Sequence, residues 1–161
     1  MSKIIILIFS FLIANANTFN FTELRYSDAL GSSMELHGEI SFFKNGLSIN
    51  YVDAKKTLQL NDSILTYKED MQVVPLDEER SEQITQYLET VFLLHSGDNE
   101  LLNSMFDIET INEKSILKPI GSISYFVSSI ELSKDKNTIK EVKLFLKNSD
   151  EITIKIDNEI R

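Results

Sequence analysis

The sequence predicts a mainly β (α+β) domain, a strongly curved antiparallel sheet with helices inserted mid-chain and laid over its apolar face. Three observations carry this. Runs of alternating apolar and polar residues recur at short spacing in both halves of the chain, separated by turn-forming residues. After Asp77 the period changes from two to that of a helix, and after Phe106 it changes back. Strands this close together make hairpins rather than parallel crossover units, and no repeat or low-complexity tract interrupts them.

The first strand is expected over 19–27, with Phe19, Phe21, Glu23 and Arg25 on one face. A clearer strand runs from Met34 to Phe43. Met34, Leu36, Gly38, Ile40 and Phe42 share one side, and Glu35, His37, Glu39 and Ser41 share the other. Lys44-Asn45-Gly46 follows, a strong hairpin signal, and Leu47, Ile49 and Tyr51 begin the return strand. Further strands are expected at 57–60, 64–67 and 71–75, with turns at Asn61-Asp62 and Glu69-Asp70.

The helix is read from Ile84, Tyr87, Leu88, Val91 and Phe92, which fall at i, i+3, i+4, i+7 and i+8 on one stripe. Asp77 caps its start, with Glu78, Glu79 and Glu82 where the dipole favours acids, and Gly97 suits its exit. Asp98 or Asn99 then opens a short second helix carrying Leu101, Leu102, Met105 and Phe106. Strands are expected again at 106–111, 115–118, 122–132, 139–146 and 152–156.

Residues 1–16 read as a cleavable signal peptide: Lys3, an apolar run from Ile4 to Ile13, and an Ala14-Asn15-Ala16 cleavage site. The alternative is a retained anchor, but the apolar run falls short of the roughly 20 residues that a spanning helix needs. Residues 17–161 are then one domain, exported to the periplasm. The chain has no Cys, so its stability rests on apolar packing. Its formal charge of −9 speaks against nucleic acid and against adsorption to anionic lipid. Catalysis finds little material. There are two His and no thiol, and no nucleophile–base set, P-loop or metalloprotease pattern occurs, so a non-enzymatic protein without cofactor or metal is expected. Glu35, His37 and Glu39 could face one metal ion, although a solvated strand face explains them as well, and His95 ends the helix where a cation suits the dipole.

Phe21-Thr22-Glu23-Leu24-Arg25, then Leu30, then Met34-x-Leu36-x-Gly38-Glu39-Ile40-x-Phe42, resembles the opening of the LolA-like family of periplasmic lipoprotein carriers. The likeness continues through the Leu-rich helix ending near Gly97-Asp98, Leu117-Lys118-Pro119 and the two closing strands, roughly residues 19–156. Glu23 stands where typical members have Gln, and Lys44-Asn45 where they have a basic-Pro pair. These departures look more like a divergent branch found with export clusters for glycolipids or aryl polyene lipids. They leave open whether the cargo is a lipoprotein.

The resemblance implies an incomplete β-barrel with helices as a lid over an apolar cavity. It also implies a carrier for a lipidated protein or lipid-like cargo, with an inner-membrane transporter and an outer-membrane acceptor as partners; a monomer is expected. The expected cavity residues are Ile40, Phe42, Leu58, Leu60, Leu65 and Tyr67 on strands. Tyr87, Leu88, Val91 and Phe92 are expected to close it from the helix. Sequence alone does not tell a filled core from a cavity lined by the same residue types. Arg25 is the candidate for an anionic or polar head group, with a surface salt bridge to a nearby acid as the alternative. A lipid- or lipoprotein-sensing module on the same fold is the competing function. Such regulators add a second domain, so a chain ending at Arg161 after its last strand is expected to be the carrier.

Overall fold

Among the described residues, eleven strands hydrogen-bond into one open antiparallel sheet. The computed structural model describes residues 17–136 and 138–160, so the expected signal peptide lies outside the described residues. Strand β1 (Asn17–Ser27) runs through the middle of the sheet, between β2 (Ser32–Phe43) and β11 (Glu151–Ile160). One meander leads outward from it through β3 (Gly46–Tyr51), β4 (Lys56–Asn61), β5 (Ile64–Glu69) and the two-residue β6 (Gln72–Val73). Helices α1 (Glu78–Ser96) and α2 (Asn99–Met105) then carry the chain to the opposite edge. From there β7 (Phe106–Ile111), β8 (Lys114–Pro119), β9 (Val127–Asp135) and β10 (Thr138–Leu146) lead back to β11.

Leu58 on β4 and Tyr67 on β5 line the same cavity as Val127 on β9 and Leu144 on β10. A flat sheet would hold β4 and β10 about 24 Å apart, at about 4.8 Å per strand. The sheet is therefore bent around its apolar face, and α1 packs on that face against β3 and β4. The core behind it draws on both halves, with Leu47 and Leu88 fully buried on one side and Ile130 and Leu144 on the other.

The helix ends follow local chemistry. The Asp77 carboxylate accepts from Arg80 N at 2.8 Å, Gly97 takes φ 66° and donates to Leu93 O, and Asp98 caps α2 by accepting from Leu101 N at 3.1 Å. The buried face of α1 is wider than the predicted stripe. Thr90, Leu93 and Leu94 are buried with Leu88 and Val91 because the second half of the helix packs against both the sheet and α2.

The turns differ from expectation by small steps with clear causes. The β4–β5 and β5–β6 loops are Asp62-Ser63 and Asp70-Met71, each one residue later than predicted. All four residues have positive φ (46° to 67°), as a type I′ hairpin requires. At Lys44-Asn45 neither residue is left-handed, and Gly46 is the first residue of β3 rather than part of the loop. Gly46 is needed for space: a Cβ there would sit 1.9 Å from the Leu60 carbonyl oxygen. Gly46→Ala is therefore expected to lower stability by about 2 kcal/mol, as overpacking does. Urea unfolding measures this, and an unchanged midpoint would show that β4 can yield.

The strand expected at 122–132 begins only at Val127. Ser122–Tyr125 is instead a 3₁₀ turn, entered through Gly121 at φ 82°, because Pro119 and Gly121 end the β8 ladder and the chain must reverse before pairing again.

His95 is not held at the helix end as a cation. Its ring stacks on Phe42, 3.6 Å between centroids and 10° from parallel, with Phe19 edge-on. Burial pushes its pKa down, so the unfolded chain binds a proton more readily than the folded one. This contribution to stability is complete above the ordinary value of about 6.5 and is lost as pH falls below it. Between about pH 7 and pH 5.5 the protein is expected to lose more stability than His95→Leu, compared by urea midpoints. Equal losses would place the ring in water.

Candidate functional site

The period of two along β1 turns Phe19, Phe21, Glu23 and Arg25 to the concave face. The first two join the packed core, while the last two form a polar floor. Glu23 is fully buried, and a buried carboxylate is tolerable only when its oxygens are well bonded. It accepts from the Tyr51 hydroxyl at 2.8 Å, the Tyr87 hydroxyl at 2.9 Å and Arg25 Nε. Arg25 Nη2 also donates to the Tyr51 hydroxyl at 3.2 Å. The cluster thus joins β1, β3 and α1 through side chains.

Charge states follow from this geometry. Burial raises the pKa of both phenols and the Glu23 carboxylate adds to it, so Tyr51 and Tyr87 remain protonated donors. For Arg25 burial works against the charge, but the Glu23 carboxylate beside it outweighs this, and its pKa is raised.

Above this floor lies a cavity of about 590 Å³. Leu58 and Tyr67 form one wall; Leu144, Ile152 and Val127 form the other; Ile84, Tyr87 and Thr90 of α1 form the roof. Gln86 also lines it, and its buried Oε1 has no hydrogen-bond partner. The mouth carries exposed apolar groups, Met34 at 52% and Tyr125 at 78%, beside Lys56, Arg80 and Lys147. Arg80 lies 5.6 Å over the Tyr67 ring, whose hydroxyl donates to Glu69.

Of the residues singled out from sequence, Arg25, Leu58, Tyr67 and Tyr87 line this cavity. Leu65 lines a separate cleft of about 200 Å³ beside Pro75. Ile40, Phe42, Leu60, Leu88 and Val91 are buried core outside the lining, and Phe92 is half-buried against that core. The division has a physical cause. Met34 and Leu36, at the start of β2, face the cavity, whereas Ile40 and Phe42 lie at its other end, where Phe42 stacks beneath the last turn of α1. The first half of α1 roofs an open space and the second half fills a core. Arg25 does form a salt bridge, but with the fully buried Glu23 on the inner face rather than with an acid at the surface.

Tyr51, Leu144, Ile152, Ile123 of the 3₁₀ turn and Phe126 just after it were not singled out as site residues. The alternation Leu47, Ile49, Tyr51 carried the signal for the first. The turn gave none, because it read as a strand.

His37 on the outer face of β2 donates from Nδ1 to Asp53 Oδ2 at 2.9 Å, and its Nε2 lies 3.2 Å from Glu35. The hydrogen bond to Asp53 raises the His37 pKa and lowers that of Asp53. Among the described residues no group of three or more His, Cys, Asp or Glu is placed to hold a metal ion, and no helix is long and apolar enough to cross a membrane. Comparison with models of known protein families gives no match, and no curated protein matches the chain.

Proposed function

We propose that this protein is a LolA-like periplasmic carrier, which takes the acyl or other apolar part of a lipoprotein or lipid-like molecule into its cavity and ferries it toward the outer membrane. The observation that carries the reading is the cavity itself. It is an apolar-walled space of about 590 Å³ between the bent sheet and the first half of α1. An ordinary packed interior leaves few voids larger than a water molecule. The motifs of β1 and β2 and the expected signal peptide add to it.

The physics favours such a task. An acyl chain gains about 0.8 kcal/mol per buried methylene, so one of about 15 methylenes loses roughly 12 kcal/mol on entering water. A concave sheet with a helical roof replaces that loss by its own burial. A cavity of about 590 Å³ lies in the range of sites that enclose a small apolar ligand, and has room for an acyl chain. Delivery would need an inner-membrane transporter to load the carrier and an outer-membrane acceptor to unload it.

Delipidated protein is expected to take up a fluorescent fatty acid at micromolar concentration, one per chain. Protein purified from its own periplasm is expected to show a bound lipid or lipopeptide in native mass spectrometry. Absence of both would overturn the reading.

A further inference from the structure

We infer that the preferred occupant of the cavity is a single-chain amphiphile with an anionic head group, its chain between Leu58 and Leu144 and its head between Arg80 and Lys147. The inference rests on the carrier reading and narrows its cargo.

The first observation is the sign of the charges. The chain carries 25 acidic and 16 basic residues, yet the ionisable side chains lining the cavity other than its tyrosines are Arg25, Lys56, Arg80 and Lys147, with no carboxylate among them. Glu78 and Glu79 precede Arg80 on the helix but are not part of the lining. A cluster of one sign on a protein of the opposite net charge makes a local field that selects its ligand.

Not all four cations are available. Arg25 is held by Glu23 on the floor, and Lys56 Nζ lies 3.5 Å from Glu69. Arg80 and Lys147 make no ion pair among the described residues, and both are exposed at the mouth. They come from different parts of the fold, Arg80 from the first turn of α1 and Lys147 from the residue just after β10. The arrangement is graded: buried apolar walls below (Leu58, Val127 and Leu144) and cations where the cavity meets water. A neutral hydrocarbon would use only the walls, and a cationic amphiphile would be repelled at the rim.

The second observation is size. A cavity of about 590 Å³ has room for a single acyl chain. Carboxylate and phosphate heads share the chemistry that Arg80 and Lys147 would recognise, so a fatty acid and a lysophosphatidic acid are the two sources to separate.

The test compares cis-parinaric acid with its methyl ester, which has the same chain and no charge, by fluorescence titration of the delipidated full chain. The acid is expected to bind about tenfold more tightly at low salt, equivalent to about 1.4 kcal/mol. Salt at about 0.5 M should narrow the gap, because the rim charges are exposed. In Arg80→Gln/Lys147→Gln the acid-to-ester ratio should fall toward one. Both sites are exposed, and should the double variant not fold, the comparison in the unaltered protein still decides. Displacement by oleate against oleoyl lysophosphatidic acid then separates the carboxylate source from the phosphate source. Equal binding of acid and ester would overturn the anionic head group and leave the carrier reading standing. So would a ratio unmoved by the double substitution, because the head would lie elsewhere. Failure of both probes to bind would sink the carrier reading and this inference with it.

Discussion

Glu23→Ala is expected to lower stability by about 3 kcal/mol, a large share of what a domain of this size has. The substitution removes the acceptor shared by Tyr51, Tyr87 and Arg25 and leaves two phenol hydroxyls without it. Stranding a buried polar group costs about 1–3 kcal/mol. Arg25 contributes less than a fully buried partner would, because its side chain is 39% exposed and cavity water can solvate it. Glu23→Gln keeps an acceptor oxygen and the shape while losing the charge, so its cost should fall between those of Ala and the unaltered protein. Urea unfolding orders the three. A harmless Glu23→Ala would mean that the cluster does not tie α1 to the sheet.

The second large effect concerns uptake rather than folding. Ile84→Glu puts a carboxylate on the cavity roof, where the side chain is half-buried and faces open space. Chain uptake should fall at least about tenfold, since the apolar contact is lost and a charge must be desolvated when a chain enters. Stability should change by less than about 1 kcal/mol, because water already reaches the position. The opposite pattern is expected at Leu88, one turn further along: Leu88→Ala should cost about 2–5 kcal/mol of stability, as fully buried leucines do. If Ile84→Glu bound the fatty acid as well as the unaltered protein, the cavity would not be the site.

The contrast between Ile84 and Leu88 shows where sequence reasoning succeeded and where it stopped. Both lie on the predicted stripe of α1, and both face the sheet. Nothing in their identity or spacing says that one meets a void and the other a core. The same holds on β2, where Leu36 and Phe42 belong to one alternating run but only Leu36 lines the cavity. The polar floor was also hidden. Glu23 was placed on the inner face by its period, but its acceptor role depends on Tyr51 and Tyr87, 28 and 64 residues away. The 3₁₀ turn at Ser122–Tyr125 was missed because Ser-Ile-Ser-Tyr alternates as a strand would, while the need for a corner there arises only from the pairing of β8 with β9.

By itself the sequence determined the inner and outer faces of β1 and β2, the central stripe of α1, and where α1 starts and stops. Those properties follow from backbone periodicity and from caps within three or four residues. Only the tertiary structure decided that the concave face is closed at one end and open at the other. That outcome depends on how far α1 lies from a sheet bent by the sum of ten strand pairings, a distance that no local pattern encodes.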